Sequence, residues 1–135
     1  MMKEKVFVDT NIFIYFFFPV DQKKFKKCEA LFEKVAKGEV VLWTTEWVIA
    51  ELIWFMIKNK TTWEEVKKAI IGILTTKNLE VRNKQWVNEL IGKCQKGEDF
   101  VDAVNISLSL SENIKSGHSY DKGFDKWKEF KRIEP

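Results

Sequence analysis

Residues 5–19 are KVFVDTNIFIYFFFP, a strand-like segment joined directly to a long apolar run. The first four residues, Lys5–Val8, are β-branched and aromatic apart from the lysine, which predicts a buried strand that ends at Asp9. The apolar run Ile12–Phe18 follows and is closed by Pro19. Ligands of parallel α/β sheets bind outside the carboxyl ends of the strands, so Asp9 lies where a site would form.

Strand-like segments alternate with amphipathic helical segments along the rest of the chain. The further predicted strands are Val40–Trp43, Leu79–Val81, Lys115–Tyr120 and a last one near Arg132–Ile133. The predicted helices run from Asp21 to Lys37, from Thr44 or Thr45 to Asn59, from Thr62 onward, and from Asn83 to Lys96. Phe100–Ile114 fits a strand or a helix, and its length without Gly or Pro favours the helix. This order predicts one α/β domain over residues 1–135, with helices on both faces of a parallel sheet of four to five strands.

The charge balance permits nucleic-acid binding without indicating it. Basic residues exceed acidic ones by three, and only Arg82 and Arg132 among the 23 basic residues are arginines. Lysine meets a phosphate as a point charge and lacks the bidentate fork of arginine. Any contact with nucleic acid is therefore expected to involve the backbone rather than the bases.

Several other chemistries are disfavoured by the sequence. Cys28 and Cys94 lie far apart without a CxxC spacing, and His118 is the only histidine, so a zinc site is not expected. Each cysteine falls on the apolar face of a predicted helix, as a buried thiol would. No P-loop for a nucleotide cofactor and no serine-hydrolase motif occur. No apolar segment is long enough for a leader or a membrane span, which predicts a cytoplasmic protein.

Four carboxylates interrupt apolar sequence, where an isolated charge would be costly. Asp9 follows the first strand, and Glu51 lies within the apolar stretch Trp47–Ile57 of a helix predicted to be buried on most sides. Asp102 lies in the ambiguous apolar segment, and Asp121 follows the predicted fourth strand. Each has an ordinary alternative: a helix cap, a lysine ion pair or outward orientation, a helix-dipole role, and a turn, respectively.

These four carboxylates acquire a common role if the fold brings them together. Like charges in one cleft raise one another's pKa, and a hard divalent cation such as Mg²⁺ or Mn²⁺ removes that penalty. A cation held there can activate a water molecule and stabilise the phosphate oxygens of an in-line attack. The pattern therefore favours a metal-dependent nuclease site.

Five short motifs follow one another along nearly the whole chain. They are Val8-Asp9-Thr10-Asn11, Thr45 with Glu51 six residues on, Asp99-Phe100-Val101-Asp102-Ala103, Ser119-Tyr120-Asp121-Lys122-Gly123-Phe124-Asp125, and Arg132-Ile133-Glu134-Pro135. In this order and spacing, the chain resembles PIN-domain proteins of the kind found as the toxin (VapC) of VapBC-type toxin–antitoxin pairs. The resemblance implies a three-layer α/β/α sandwich around the parallel sheet and an Mg²⁺- or Mn²⁺-dependent ribonuclease site.

The resemblance also implies roles for individual side chains. The implied catalytic residues are Asp9, Glu51, Asp102 and Asp121, and the implied metal ligands are Asp9, Asp102, Asp121 and, as an outer member, Asp125. Thr10, Asn11 and Ser119 match polar residues that support these carboxylates in the family. Asp99 is a rival to Asp102, which is preferred because Ala103 follows it as in the family pattern. Gly123 is a departure, since a charged residue is commoner there.

The implied partners are RNA, a second copy of the chain in a homodimer, and a small antitoxin whose tail covers the acidic groove. Two alternatives to a toxin ribonuclease stay open. One is a nuclease that acts on DNA or flap structures. The other is a non-catalytic PIN-like scaffold or RNA-binding protein that keeps its carboxylates for the fold.

Overall fold

The computed structural model describes residues 3–135, so Met1 and Met2 of the predicted domain lie outside the described residues. The strands are β1 (Lys5–Phe7), β2 (Val41–Thr44), β3 (Leu79–Val81), β4 (Ser116–His118) and β5 (Lys131–Ile133). The α-helices are α1 (Thr10–Phe17), α2 (Gln22–Ala36), α3 (Glu46–Lys58), α4 (Trp63–Leu74), α5 (Lys84–Lys93) and α6 (Asp99–Ser111). A short 3₁₀ helix spans Lys122–Lys126.

The first three strands form a parallel sheet in the order β1-β2-β3. Its register pairs Val6 with Leu42 and Trp43 with Glu80. Parallel neighbours require crossover connections, and these are supplied by α1 with α2 and by α3 with α4. The predicted α/β/α architecture is therefore confirmed.

The prediction that four to five strands form a single sheet is wrong. β4 and β5 pair with each other in parallel, with Gly117 opposite Arg132, and form a separate two-stranded sheet. β4 is only Ser-Gly-His, and a glycine at the centre of a strand weakens it because it packs no side chain. The edge strand β1 leaves Val6 and Phe7 49% and 53% exposed. The central sheet therefore has three strands.

Two local ambiguities of the sequence are resolved by burial. Phe100–Ile114 is helical through α6, because Phe100, Ala103 and Ile106 share one buried face at helical spacing. Thr45 rather than Thr44 caps α3: its hydroxyl accepts a hydrogen bond from the Val48 amide at 3.2 Å. Thr44 is instead fully buried and donates its hydroxyl to the Val8 carbonyl at 2.9 Å.

The core joins the central sheet to the apolar faces of the helices. Its largest fully buried side chains are Phe13, Leu42, Ile49, Leu52, Ile53, Ile70, Leu90 and Ile106. Cys28 and Cys94 are free and buried, as predicted. Between residues 3 and 135, no helix has the length and apolar character needed to cross a membrane.

Two adjacent isoleucines of α4 give a matched test of this core. Ile70 is fully buried, whereas Ile71 is 45% exposed. Ile70→Ala is expected to lower the free energy of unfolding by about 2–5 kcal/mol, because it removes apolar contacts and leaves a cavity. Ile71→Ala is expected to change it by about 0.5 kcal/mol or less. Denaturant unfolding of both variants checks this, and equal losses would contradict the assigned face of α4.

Candidate active site

The first part of the site lies where β1 meets α1. Asp9 is the N-cap of α1, and its carboxylate accepts a hydrogen bond from the Thr10 amide at 2.8 Å. The Thr10 side chain is buried, and its hydroxyl donates to Glu51 Oε2 at 2.6 Å. Asn11 follows as an exposed residue of α1. One threonine thus lies between two predicted catalytic carboxylates and holds α1 against α3.

Glu51 is exposed, and the prediction that apolar packing surrounds α3 on most sides is wrong. The buried face of α3 consists of Val48, Ile49, Leu52, Ile53 and Met56. The exposed positions of this helix are Trp47, Glu51, Trp54 and Lys58. The prediction failed because the apolar character of the stretch Trp47–Ile57 does not show which face of the helix is covered. Glu51 consequently lies in open solvent, with one oxygen held by Thr10.

The second part of the site lies between α6 and the 3₁₀ helix. Asp121 caps the 3₁₀ helix, and its Oδ1 accepts from the Gly123 amide at 2.8 Å. The Ser119 hydroxyl accepts a hydrogen bond from the Asp121 backbone amide at 2.9 Å. A supporting role of Ser119 for the Asp121 carboxylate stays a prediction. Asp102 reaches the same place from the first turn of α6. A Cβ atom built on Gly123 would lie 3.0 Å from Asp121 Oδ1 and 3.3 Å from Asp102 Oδ2.

Gly123 has a steric effect on the carboxylates that the sequence did not predict. Any side chain there would occupy the space that the two carboxylates share. A charged residue at this position, as is commoner in the family pattern, would therefore alter the gap between Asp102 and Asp121. The sequence marked Gly123 only as a departure from the family pattern, and nothing in it predicted that the glycine adjoins both Asp102 and Asp121.

Burial and, to a smaller extent, like charges nearby disfavour the ionised form of Asp102. Burial raises the pKa of Asp102 above its ordinary value of 3.8, and the negative charges of Asp121 and Asp99 raise it further. Lys126 offsets only part of this effect. A bound cation would stabilise the ionised form of a carboxylate in this situation.

Asp99 is engaged differently from its rival Asp102. It is almost fully buried, and its oxygens accept hydrogen bonds from the Gln95 and Lys96 amides at 3.1 and 3.2 Å and from Lys126 Nζ at 2.5 Å. Burial alone would raise its pKa, but the Lys126 hydrogen bond and the two backbone amides outweigh burial and lower the pKa of Asp99. Asp99 therefore anchors the start of α6, which leaves Asp102 as the freer carboxylate.

Asp125 is tied to an arginine. Arg132 donates to both oxygens of Asp125, at 2.9 and 3.4 Å, and also to the Ser119 carbonyl at 3.0 Å and to Glu134 at 2.9 Å. These contacts, that with Asp125 foremost, raise the pKa of Arg132. The arginine thereby joins β5 to the segment that carries Ser119 and Asp121. A role for Asp125 as an outer metal ligand stays a prediction.

The donors at this site suit a hard cation in chemical type. All are oxygens, and Mg²⁺ and Mn²⁺ prefer carboxylate ligands. Burial, with a smaller contribution from Asp99, raises the pKa of the Cys94 thiol to about 12, so the free thiol stays protonated at neutral pH. Within the described part of the chain, no three His, Cys, Asp or Glu side chains lie close enough together to hold one ion. The carboxylates approach in two groups, Asp9 with Glu51 through Thr10, and Asp102 with Asp121 around Gly123.

The domain is an α/β/α fold that has carboxylates at the carboxyl end of its first strand and at the start of its last α-helix. This arrangement is typical of nucleases with acidic active sites. The PIN domain family matches residues 6–129, and the chain belongs to this family. PIN domains are generally nucleases, so the site is that of a nuclease-type hydrolase. Comparison with curated proteins gives no match.

Asp99 and Asp102 lie three residues apart on α6 with opposite pKa shifts, which makes their asparagine variants a matched pair. A carboxylate whose pKa falls on folding stabilises the fold when ionised, whereas one whose pKa rises destabilises it. At pH 7 in EDTA, Asp99→Asn is expected to lower the free energy of unfolding by about 1–3 kcal/mol. Asp102→Asn is expected to raise it by about 0.2–1 kcal/mol, because the charges involved are partly solvated. Denaturant unfolding measures both changes.

Two controls sharpen that comparison. The contribution of Asp99 is present above its ordinary pKa of 3.8 and is lost as the pH falls below it, so the Asp99→Asn difference should fade in acid. Adding Mn²⁺ should stabilise the wild type more than Asp102→Asn, because binding to the folded state alone shifts its stability. An Asp102→Asn variant that is less stable than wild type in EDTA would contradict the repulsion.

Proposed function

We propose that this chain is a metal-dependent endoribonuclease, the toxin of a VapBC-type toxin–antitoxin pair. The observation that carries the proposal is the convergence of Asp102 and Asp121 on the space that Gly123 leaves open, with the pKa of Asp102 raised by burial and by Asp121. Two carboxylates held in such a position are expected to bind a cation rather than to stabilise the fold. Membership of the PIN family supports nuclease chemistry at the same place.

In this proposal Asp9, Asp102 and Asp121 hold Mg²⁺ or Mn²⁺. Asp125, which is hydrogen-bonded to Arg132, is an outer member of the ligand set. Bound there, the cation would lower the pKa of a water molecule and neutralise charge on the phosphate. Four further residues are proposed to act without binding the metal ion. They are Glu51, Thr10, Asn11 and Ser119.

Glu51 is proposed as the group that orients the attacking water and accepts its proton. Its exposure leaves it accessible to the phosphate, and the 2.6 Å bond from Thr10 fixes one of its oxygens. Hydrolysis adds the elements of that water across one P–O bond of the backbone. Ser119 holds the Asp121 amide and so the orientation of that carboxylate, and Asn11 is proposed to help align Asp9.

The toxin assignment adds a small antitoxin and a homodimer as partners. An apolar cleft of about 540 Å³ lies between α1, α2 and α4 and is lined by Phe13, Phe16, Phe17, Phe32 and Ala69 among others. It offers a place for the apolar side chains of such a partner. A short upstream gene for a small DNA-binding protein would support the pairing. Cytoplasmic location and the extent of the domain over residues 1–135 stay predictions.

The proposal is tested by cleavage of a labelled structured RNA with Mn²⁺, with Mg²⁺ and with EDTA. Asp9→Asn removes a ligand charge but keeps a residue that caps helices well, so the fold should persist. Cleavage is expected to fall by at least about 100-fold, the upper end of what loss of a ligand's supporting partner costs. The control is Asp21→Asn, which changes the N-cap of α2 in the same way away from the site.

Wild type and Asp21→Asn should cut equally and only with metal. Equal cutting by Asp9→Asn would show that the site assignment is wrong. Cutting of DNA or flap substrates in preference to RNA would favour the second nuclease alternative. Folded wild-type protein that cuts none of these substrates would favour a non-catalytic role.

A further inference from the structure

The outer face of α3 presents two tryptophans to solvent on either side of Glu51. Trp47 is 71% exposed and Trp54 is 52% exposed, whereas the other four tryptophans are at least half-buried. Together with Glu51 and Lys58 they are the only exposed residues of this helix, at positions i, i+4, i+7 and i+11. That spacing places all four side chains on one line along the helix.

Packing does not account for this arrangement. The buried side of α3 is complete without either tryptophan, since Leu52, Ile53 and Met56 with their neighbours fill it. A single exposed apolar side chain is common on protein surfaces, whereas several together indicate a binding surface. Here two indoles flank one carboxylate. Lys58 Nζ lies 5.7 Å above the centre of the Trp54 ring, which adds a positive charge at one end of the line.

We propose that this face binds single-stranded RNA, with one unpaired base stacked on Trp47 and another on Trp54, so that the backbone between them passes Glu51. The inference rests on the proposed function, because it takes Glu51 as the catalytic carboxylate. Seven residues of helix separate the two indoles by about 10.5 Å along the axis, and Glu51 lies between them. Stacking needs no hydrogen-bond code, which suits a chain with few arginines.

The neighbourhood of Trp47 extends the same surface. A narrow cleft of about 160 Å³ is lined by Trp47, Trp86, Arg82 and Asn83 among others. Arg82 forms an ion pair with Glu46 at 2.8 Å, and the Asn83 amide donates to the same glutamate at 2.9 Å. A base stacked on Trp47 would thus lie beside Trp86 and a mainly apolar lining that includes Phe100 and Leu108, with the Arg82 guanidinium nearby but paired with Glu46.

A protein partner fits this face less well. A stable interface buries about 800 Å² on each side, and two aromatic side chains supply about 150–250 Å² each. Lys58 meets a phosphate backbone favourably, and its contribution should weaken with added salt.

The test measures fluorescence anisotropy of an end-labelled, unstructured 12-nucleotide RNA with the full chain in EDTA, so that binding is separated from cleavage. Trp47→Ala and Trp54→Ala are each expected to raise the Kd for this RNA about 5- to 150-fold, the range that loss of one base–aromatic stacking contact supports. Trp47→Phe and Trp54→Phe should restore most of the affinity, whereas Trp47→Leu and Trp54→Leu should not. Ile71→Ala, an exposed apolar change on α4, is the control and should bind as wild type does.

A duplex of the same length should bind more weakly than the single strand and without dependence on the tryptophans. Unchanged affinity of both alanine variants, or leucine variants that bind like phenylalanine variants, would overturn the proposal. Loss of a dimer in the alanine variants without loss of RNA affinity would assign the face to a second copy of the chain instead. Metal-dependent RNA cleavage by the same proteins separates the two claims. If the protein cleaves RNA but its affinity does not depend on the tryptophans, only this inference is refuted. If its affinity depends on the tryptophans but it does not cleave RNA, only the nuclease proposal is refuted.

Discussion

The hydrogen bond from Thr10 to Glu51 holds together the two chain segments on which the site depends. It joins residues 41 positions apart and links the start of α1 to the middle of α3. A second buried contact, from the Thr44 hydroxyl to the Val8 carbonyl, ties the ends of β1 and β2 to each other. Because both contacts lie at the carboxyl ends of neighbouring parallel strands, they place Asp9 and Glu51 at the edge of the sheet where such folds bind ligands.

The opposite constraint operates between Asp102 of α6 and Asp121, the N-cap of the 3₁₀ helix, where two like charges approach each other. Asp102 and Asp121 face the space left open by Gly123, and the pKa of Asp102 rises through burial and repulsion. Asp99 lies one helical turn away, and its pKa is lowered instead because its carboxylate pairs with Lys126. This contrast within one helix turn separates Asp99, which is paired within the fold, from Asp102, which is the carboxylate proposed to bind a cation.

Periodicity predicted the elements well but not every contact between them. Most strand and helix segments were correct because their apolar faces repeat at clear intervals, and length without Gly or Pro favoured the helix α6. The run Ile12–Phe18, most of which lies in α1, was not assigned to a helix, and β1 is exposed although a buried strand was predicted. Pairing of β4 with β5 rather than with the central sheet depends on tertiary packing around Gly117, which no local pattern encodes. The outward orientation of Trp47 and Trp54 was missed for the same reason, since apolar character does not reveal which helix face is covered. Asp9 and Asp102 were singled out because a charge in apolar sequence requires a partner, and their roles as metal ligands stay predictions.

The central claim is that the two carboxylate groups form one metal site. The most direct measurement is a crystal structure of the protein grown with Mn²⁺, in which anomalous scattering locates the ion. The account predicts Mn²⁺ bound to oxygens of both Asp9 and Asp102, at distances of about 2.0–2.2 Å, with Asp121 completing or neighbouring the site. An ion held away from Asp102, or carboxylates that stay apart in two unconnected groups with Mn²⁺ present, would contradict it.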